Sequence, residues 1–153
     1  MHATIYQIDE KNPIGIEDWI TDEDLPDYFW HIADYATVSG TKEALNKCRC
    51  TGERAGMHYD EKENMFVIDS ELVYFKPHYE EFIKRAKELS EATLSDFVSE
   101  FNLTTPFILL KNAYDDEYGI YFYSDAYGLE TINEFVRRGG RKAYIGAVLD
   151  YHY

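Results

Sequence analysis

Apolar positions recur with a period of two in some stretches of this chain and of three to four in others, and that change of period predicts the elements. Residues 3–8 (Ala-Thr-Ile-Tyr-Gln-Ile) predict a first strand, ended by Asn12-Pro13 and Gly15. Residues 24–36 predict a helix, with Asp24 as cap, Pro26 in the first turn, and Tyr28, Ile32 and Tyr35 at helical spacing. A short helix is expected from Thr41 to near Cys48. Residues 56–59 and 64–69 predict a hairpin around Asp60-Glu61-Lys62-Glu63, and residues 70–76 carry no clear period.

The longest helical pattern runs from Pro77 to about Phe101. Tyr79, Phe82, Ile83, Ala86 and Leu89 form one stripe, and Leu94, Phe97, Val98 and Phe101 form another. Phe82 and Phe97 are expected core residues on those stripes. Glu80–Lys84 and Glu81–Arg85 are i,i+4 pairs in the favourable order. Thr93 with Asp96 has the spacing of a capping box, which predicts a break near residues 90–93.

Residues 106–111 and 118–124 predict a second hairpin turned by Asp115-Asp116-Glu117. A helix is expected over 128–138, stopped by Gly139, and a last strand near 142–151, with Gly146 as a candidate bulge. Hairpins imply antiparallel pairing. The expected fold is therefore α+β: one domain over residues 1–153, an antiparallel, hairpin-containing sheet, and helices packed mainly on one face.

Composition supports a folded domain, since 45% of the residues are hydrophobic and 29% charged. No apolar run approaches the roughly 20 residues of a spanning helix. The start, Met1-His2-Ala3-Thr4-Ile5-Tyr6, lacks the basic and apolar regions of a signal peptide. Cys48 and Cys50 are too close for an unstrained disulfide, which fits a reducing, cytoplasmic location.

Chemical motifs are excluded one after another. The chain contains no phosphate-binding loop, no dinucleotide fingerprint, no nucleophile elbow, no H-E-x-x-H and no complete EF-hand loop. His78 with Glu81 and His31 with Asp34 stand i,i+3, but two ligands do not hold a metal alone. A histidine bonded to a neighbouring carboxylate is the plainer reading of each pair. No metal or other cofactor is expected. Lys47 and Arg49 would favour a Cys48 thiolate, yet no histidine partner can be assigned to it, so an unreactive thiol is the simpler expectation.

Charge changes the picture. The net charge is −14, which argues against direct nucleic-acid binding and against docking on an anionic membrane. Residues 1–40 hold nine acids against one lysine, a net of −8, and residues 91–135 repeat that count. Residues 41–90 are nearly balanced at −1, and residues 136–153 carry +3. The bases Arg137, Arg138, Arg141 and Lys142 suit helix-dipole compensation and pairing with the acidic blocks better than phosphate binding. A chain of this size exposes about 8,000 Å², and 30 Å of duplex DNA carries about 18 charges. The two acidic blocks are thus comparable in charge with a short duplex, if they share one side.

Fourteen tyrosines accompany these acids. A phenol ring beside a carboxylate receives arginine well, the ring stacking on the guanidinium while the acid pairs with it. The expected function is a non-enzymatic acidic binding or inhibitor protein that captures a basic, nucleic-acid-handling protein. Its expected contact residues are Asp22, Glu23, Asp24, Asp27, Asp115, Asp116, Glu117, Tyr121 and Tyr123. Two alternatives remain open. One is a small enzyme using scattered carboxylates with His31, His58 or His78; the other is a soluble domain whose acids are only a solvated surface.

Overall fold

A computed structural model describes residues 1–99, 102–115 and 119–153 of the chain. The sheet has seven strands: β1 (His2–Asp9), β2 (Tyr35–Val38), β3 (Met57–Asp60), β4 (Met65–Ile68), β5 (Tyr121–Ser124), β6 (Gly128–Thr131) and β7 (Lys142–His152). The α-helices are α1 (Thr41–Thr51), α2 (Glu71–Ser90), α3 (Leu94–Val98), α4 (Thr104–Tyr114) and α5 (Ile132–Arg137). The spatial order is β3-β4-β7-β1-β5-β6. All pairs are antiparallel except β1 with β5. The α+β single-domain fold expected from the hairpins is the one observed.

Strand β7 organises the sheet. One edge pairs with β1; the other takes β4 at Lys142–Tyr144 and β2 at Leu149–His152. Opposite Gln7 the register slips, with Tyr6 facing Val148 and Ile8 facing Ile145. Gly146 and Ala147 together oppose one residue, a bulge at the glycine flagged in the sequence. The extra residue reverses the side-chain parity of the strand. Ala143, Ile145 and Val148 point into one core, and Ala147, Leu149 and Tyr151 into the other. Gln7 fastens the bulge: its Oε1 accepts from the N–H groups of Ala147 (3.0 Å) and Ile20 (3.1 Å), while its Nε2 donates to the Asp18 carbonyl (2.8 Å). A Cβ on Gly146 would stand 2.6 Å from Gln7 Oε1, so this close approach requires glycine.

The first core joins Tyr6, Phe66, Phe122, Phe135 and Val136 with Cys48 of α1 and Tyr74 of α2. The second is roofed by 3-10 turns at Ile16–Asp18, Asp22–Asp24 and Asp27–His31 instead of an α-helix. The predicted helix over 24–36 is therefore corrected. Leu25, Phe29 and Ala33 are the buried positions, whereas Tyr28 and Tyr35 are exposed. Tyr35–Val38 is drawn out of any helix by the free edge of β7.

Three further expectations change. Residues 106–111 are not a strand but lie in α4, because a short run such as Phe107-Ile108-Leu109-Leu110 does not fix its own period. Pro106 is tolerated there in the first turn, where an N–H has no helical acceptor. Residues 128–131 pair with β5 as β6, and the helix begins only where Thr131 and Glu134 form a capping box. The long helix starts at Glu71, six residues before Pro77, with Ser70 as its cap, and ends at Ser90 ahead of the Thr93–Asp96 capping box. Phe101 and Tyr118 of these predicted elements lie outside the described residues.

Helices α2 and α4 pack along each other and make only marginal contact with the sheet. From Phe75 to Asn112 no described side chain is buried, so the pair with α3 at its far end forms an arm. Phe97, an expected core residue, is exposed on α3, and Phe82 is half-buried between the helices.

Phe122 is wholly buried and packs against Phe66 (5.8 Å between centroids) and Phe135 (5.1 Å). Phe122→Ala is expected to cost about 3–5 kcal/mol in urea unfolding, the usual cost of emptying such a position. A loss below about 1 kcal/mol would contradict this description of the core.

Candidate functional site

The 3-10 roof over the second core carries the most uneven charge in the molecule. Residues 16–34 contain seven carboxylates and neither lysine nor arginine. Ile20, Leu25, Phe29 and Ala33 point inward and anchor the roof on Tyr121, Leu149 and Tyr151. The residues between them must then face water, which leaves Glu17, Asp18, Asp22, Glu23, Asp24 and Asp27 exposed. Among the described residues none of these six pairs with a lysine or arginine. Asp24 is held in place, accepting from the Thr21 N–H at 2.7 Å in a capping box. Trp19, Tyr28 and Trp30 rise from the same roof, each more than a third exposed.

The roof meets the β5–β6 turn at Tyr123. Burial raises the pKa of this phenol, and the nearby charges of Asp125 and Asp24 raise it further, with a smaller contribution from Tyr28. Asp22, Glu23, Asp24, Asp27 and Tyr123 thus lie on one region, together with Asp125, which the sequence reading did not select. Tyr121 lies two residues from Tyr123 on the same sheet face but is buried beneath the roof, 6.2 Å from Phe29. Asp115 lies elsewhere, beside Arg137 at 3.4 Å. Asp116 and Glu117 lie outside the described residues.

Several of the molecule's bases are paired with other acids. Arg138 binds Glu130 at 2.8 Å and Glu10 at 2.7 Å, Arg141 binds Glu71 at 2.7 Å, and Lys47 binds Asp150 at 2.6 Å. Arg137, Arg138 and Arg141 therefore pair within the chain.

A second locus lies at the root of the arm, where a cleft of about 220 Å³ is lined by Arg54, His78, Asn112, Asp115 and Asn133. Tyr74 donates to Asn133 Oδ1 at 2.8 Å and fixes that amide. Arg137 stacks over Tyr114 at 4.3 Å and donates to its carbonyl at 2.9 Å. Burial lowers the His78 pKa, the positive charges of Arg54 and Arg137 lower it further, and Asp115 opposes them. A neutral imidazole can accept a proton from a bound group. Arg54, Asn112 and Asn133 escaped the sequence reading, for they stand far apart in the chain and match no motif. The other two candidate histidines have simpler surroundings: His58 donates to Asp69 at 2.8 Å on the surface, and His31 is exposed at the end of its 3-10 turn.

Neither locus shows a clustered metal centre, since among the described residues no three His, Cys, Asp or Glu side chains converge. Cys48 is buried, and that burial pushes its thiol up to about 12, which keeps it protonated at neutral pH. No protein-family model matches the chain, nor does any curated protein or solved structure.

The depressed pKa of His78 has a sign. The unfolded chain takes up its proton near pH 6.5, while the folded chain takes it up only at lower pH. The stability contribution is therefore complete above pH 6.5 and lost as pH falls through the folded value. His78→Gln removes this titration, and its chemical-denaturation midpoint should fall less between pH 7 and 5 than that of the parent. Parallel pH profiles would refute the assignment.

Proposed function

We propose that this chain is a non-enzymatic binding protein that captures a basic protein partner through the acidic, aromatic roof over residues 16–34. A partner whose basic groove ordinarily holds nucleic acid suits it best, because the roof offers closely spaced anions to lysine and arginine. One observation carries this reading: seven carboxylates stand without an intervening lysine or arginine, all seven are exposed, and among the described residues none pairs with a lysine or arginine, Asp34 alone having a partner in His152. Self-repulsion within such a surface weakens the folded chain slightly and is relieved when a cationic surface covers it. Trp19, Tyr28 and Trp30 supply the faces on which guanidinium groups stack. Asp115 takes no part in this contact as proposed, since Arg137 already neutralises it.

The test is a variant carrying Asp22→Asn, Glu23→Gln, Asp24→Asn and Asp27→Asn. Asparagine at position 24 keeps an acceptor for the Thr21 N–H, so the Tm should stay close to that of the parent. Binding to an arginine-rich peptide, read by calorimetry, should weaken at least tenfold. The parent's own affinity should fall steeply between 50 and 200 mM salt, as expected for exposed charges. Unchanged binding in the variant, or affinity indifferent to salt, would refute the proposal.

A specific observation favours a second reading, a small-ligand site in the His78 cleft. Asp115 Oδ1 is buried with no hydrogen-bond partner, and Arg54 pairs with no carboxylate among the described residues. A ligand bearing both an anion and a donor would satisfy the two groups. A panel of small hydroxy and amino acids in a thermal-shift assay tests this. A rise in Tm that His78→Gln and Arg54→Gln both abolish supports it, and no rise with any member of the panel rejects it.

A further inference from the structure

The arm formed by α2, α3 and α4 leaves apolar side chains uncovered at its far end. Leu94, Phe97 and Val98 of α3 are 79%, 76% and 77% exposed, and Phe107 and Ile108 of α4 are more than half exposed. Helix α4 carries Phe107, Ile108, Leu109 and Leu110 in succession and is therefore apolar around its circumference. Such a helix is normally covered on more than one side, yet here α2 is its only substantial neighbour among the described residues. The accessible surface is 9353 Å², above the roughly 8,000 Å² of a compact chain of this length. An arm whose described residues from Phe75 to Asn112 include no buried one agrees with that larger area.

We propose that the far end of this arm is the interface of a homodimer, its occupant being the same arm of a second copy. Charge selects this occupant. Residues 71–114 hold seven acids against five bases, a net of −2, which leaves −12 on the rest of the chain. Two copies meeting body to body would oppose their acidic surfaces, whereas two arms meet with almost balanced charge. A basic protein would be drawn to the roof rather than to this neutral tip. An anionic bilayer would repel the body behind it.

Area agrees. The exposed parts of Leu94, Phe97, Val98, Phe107, Ile108 and Leu109 amount to on the order of 700 Å² per copy, and twice that falls within the range of a stable, specific interface. Pairing two helical hairpins through these side chains gives a contact of the four-helix type. A two-fold axis at the tips would also hold the two acidic roofs apart, so that dimerisation leaves them free.

Sedimentation equilibrium of the full chain tests the proposal. A dimer is expected at micromolar concentration, and its dissociation constant should fall as salt rises from 50 to 500 mM, because salt screens the repulsion between the bodies. That direction is opposite to the one expected for capture of a basic partner, so each idea can fail without the other. Phe97→Glu should weaken the dimer at least tenfold with unchanged far-UV circular dichroism, and Phe97→Leu should retain it. A monomer at all concentrations up to 100 µM, or a dimer indifferent to Phe97→Glu, would overturn the proposal. So would a chain that stays monomeric but binds neutral phosphatidylcholine vesicles through Phe97.

Discussion

The main-chain pairing of β7 with three other strands is the constraint from which the rest of the molecule follows. A strand of eleven residues held along both edges would ordinarily keep one parity of side chains from end to end. The bulge at Gly146 and Ala147 breaks that parity and aims each half of the strand at a different core. One core is then closed by α1, α5 and the start of α2. The other is closed by 3-10 turns. Gln7 joins these events: the same side chain bonds the bulge, the start of the roof and the carbonyl of Asp18. The acidic roof is where it is because this amide and a few buried anchors hold an irregular segment against the sheet.

That irregularity has an electrostatic consequence. In an α-helix a carboxylate readily finds a lysine or arginine four residues away, as Glu81 finds Arg85 at 2.6 Å in α2. The roof has no α-helix and no lysine or arginine in its sequence, and among the described residues none of its carboxylates pairs with either. Several bases elsewhere are committed to partners of their own, Arg138 to Glu130, Arg141 to Glu71 and Lys47 to Asp150. The surface charge is therefore segregated by pairing as well as by sequence. The roof is strongly anionic, while the arm is close to neutral.

The local elements were legible wherever the chain settles them by itself. The hairpin around residues 60–63, the capping box at Thr93, the stop at Gly139 and the bulge glycine all follow from turn and cap chemistry, and they appear where the sequence puts them. The misread segments share another feature, because their state depends on a distant neighbour. Residues 128–131 have helical character until β5 offers a ladder. Residues 35–38 extend because β7 has a free edge. Residues 106–111 satisfy either period, and α2 supplies the surface that makes them a helix. Within the candidate site, the run from Asp22 to Asp27 could be found by counting charge. The electrostatic influence of Asp24 and Asp125 on Tyr123, and the burial of Tyr121 beside Phe29, could not.

Composition and short-range chemistry suffice for an acidic α+β domain and for its two acidic blocks, whereas Arg137, Arg138 and Arg141 find partners far away in the chain. Only the tertiary structure decided which carboxylates stand unpaired together, which histidine lies in a cleft, and which apolar stripe is core and which is exposed on an arm. Those outcomes depend on pairings between residues tens of positions apart. Leu94 and Phe97 have the same pattern as a buried stripe, and only the absence of a packed neighbour among the described residues distinguishes them.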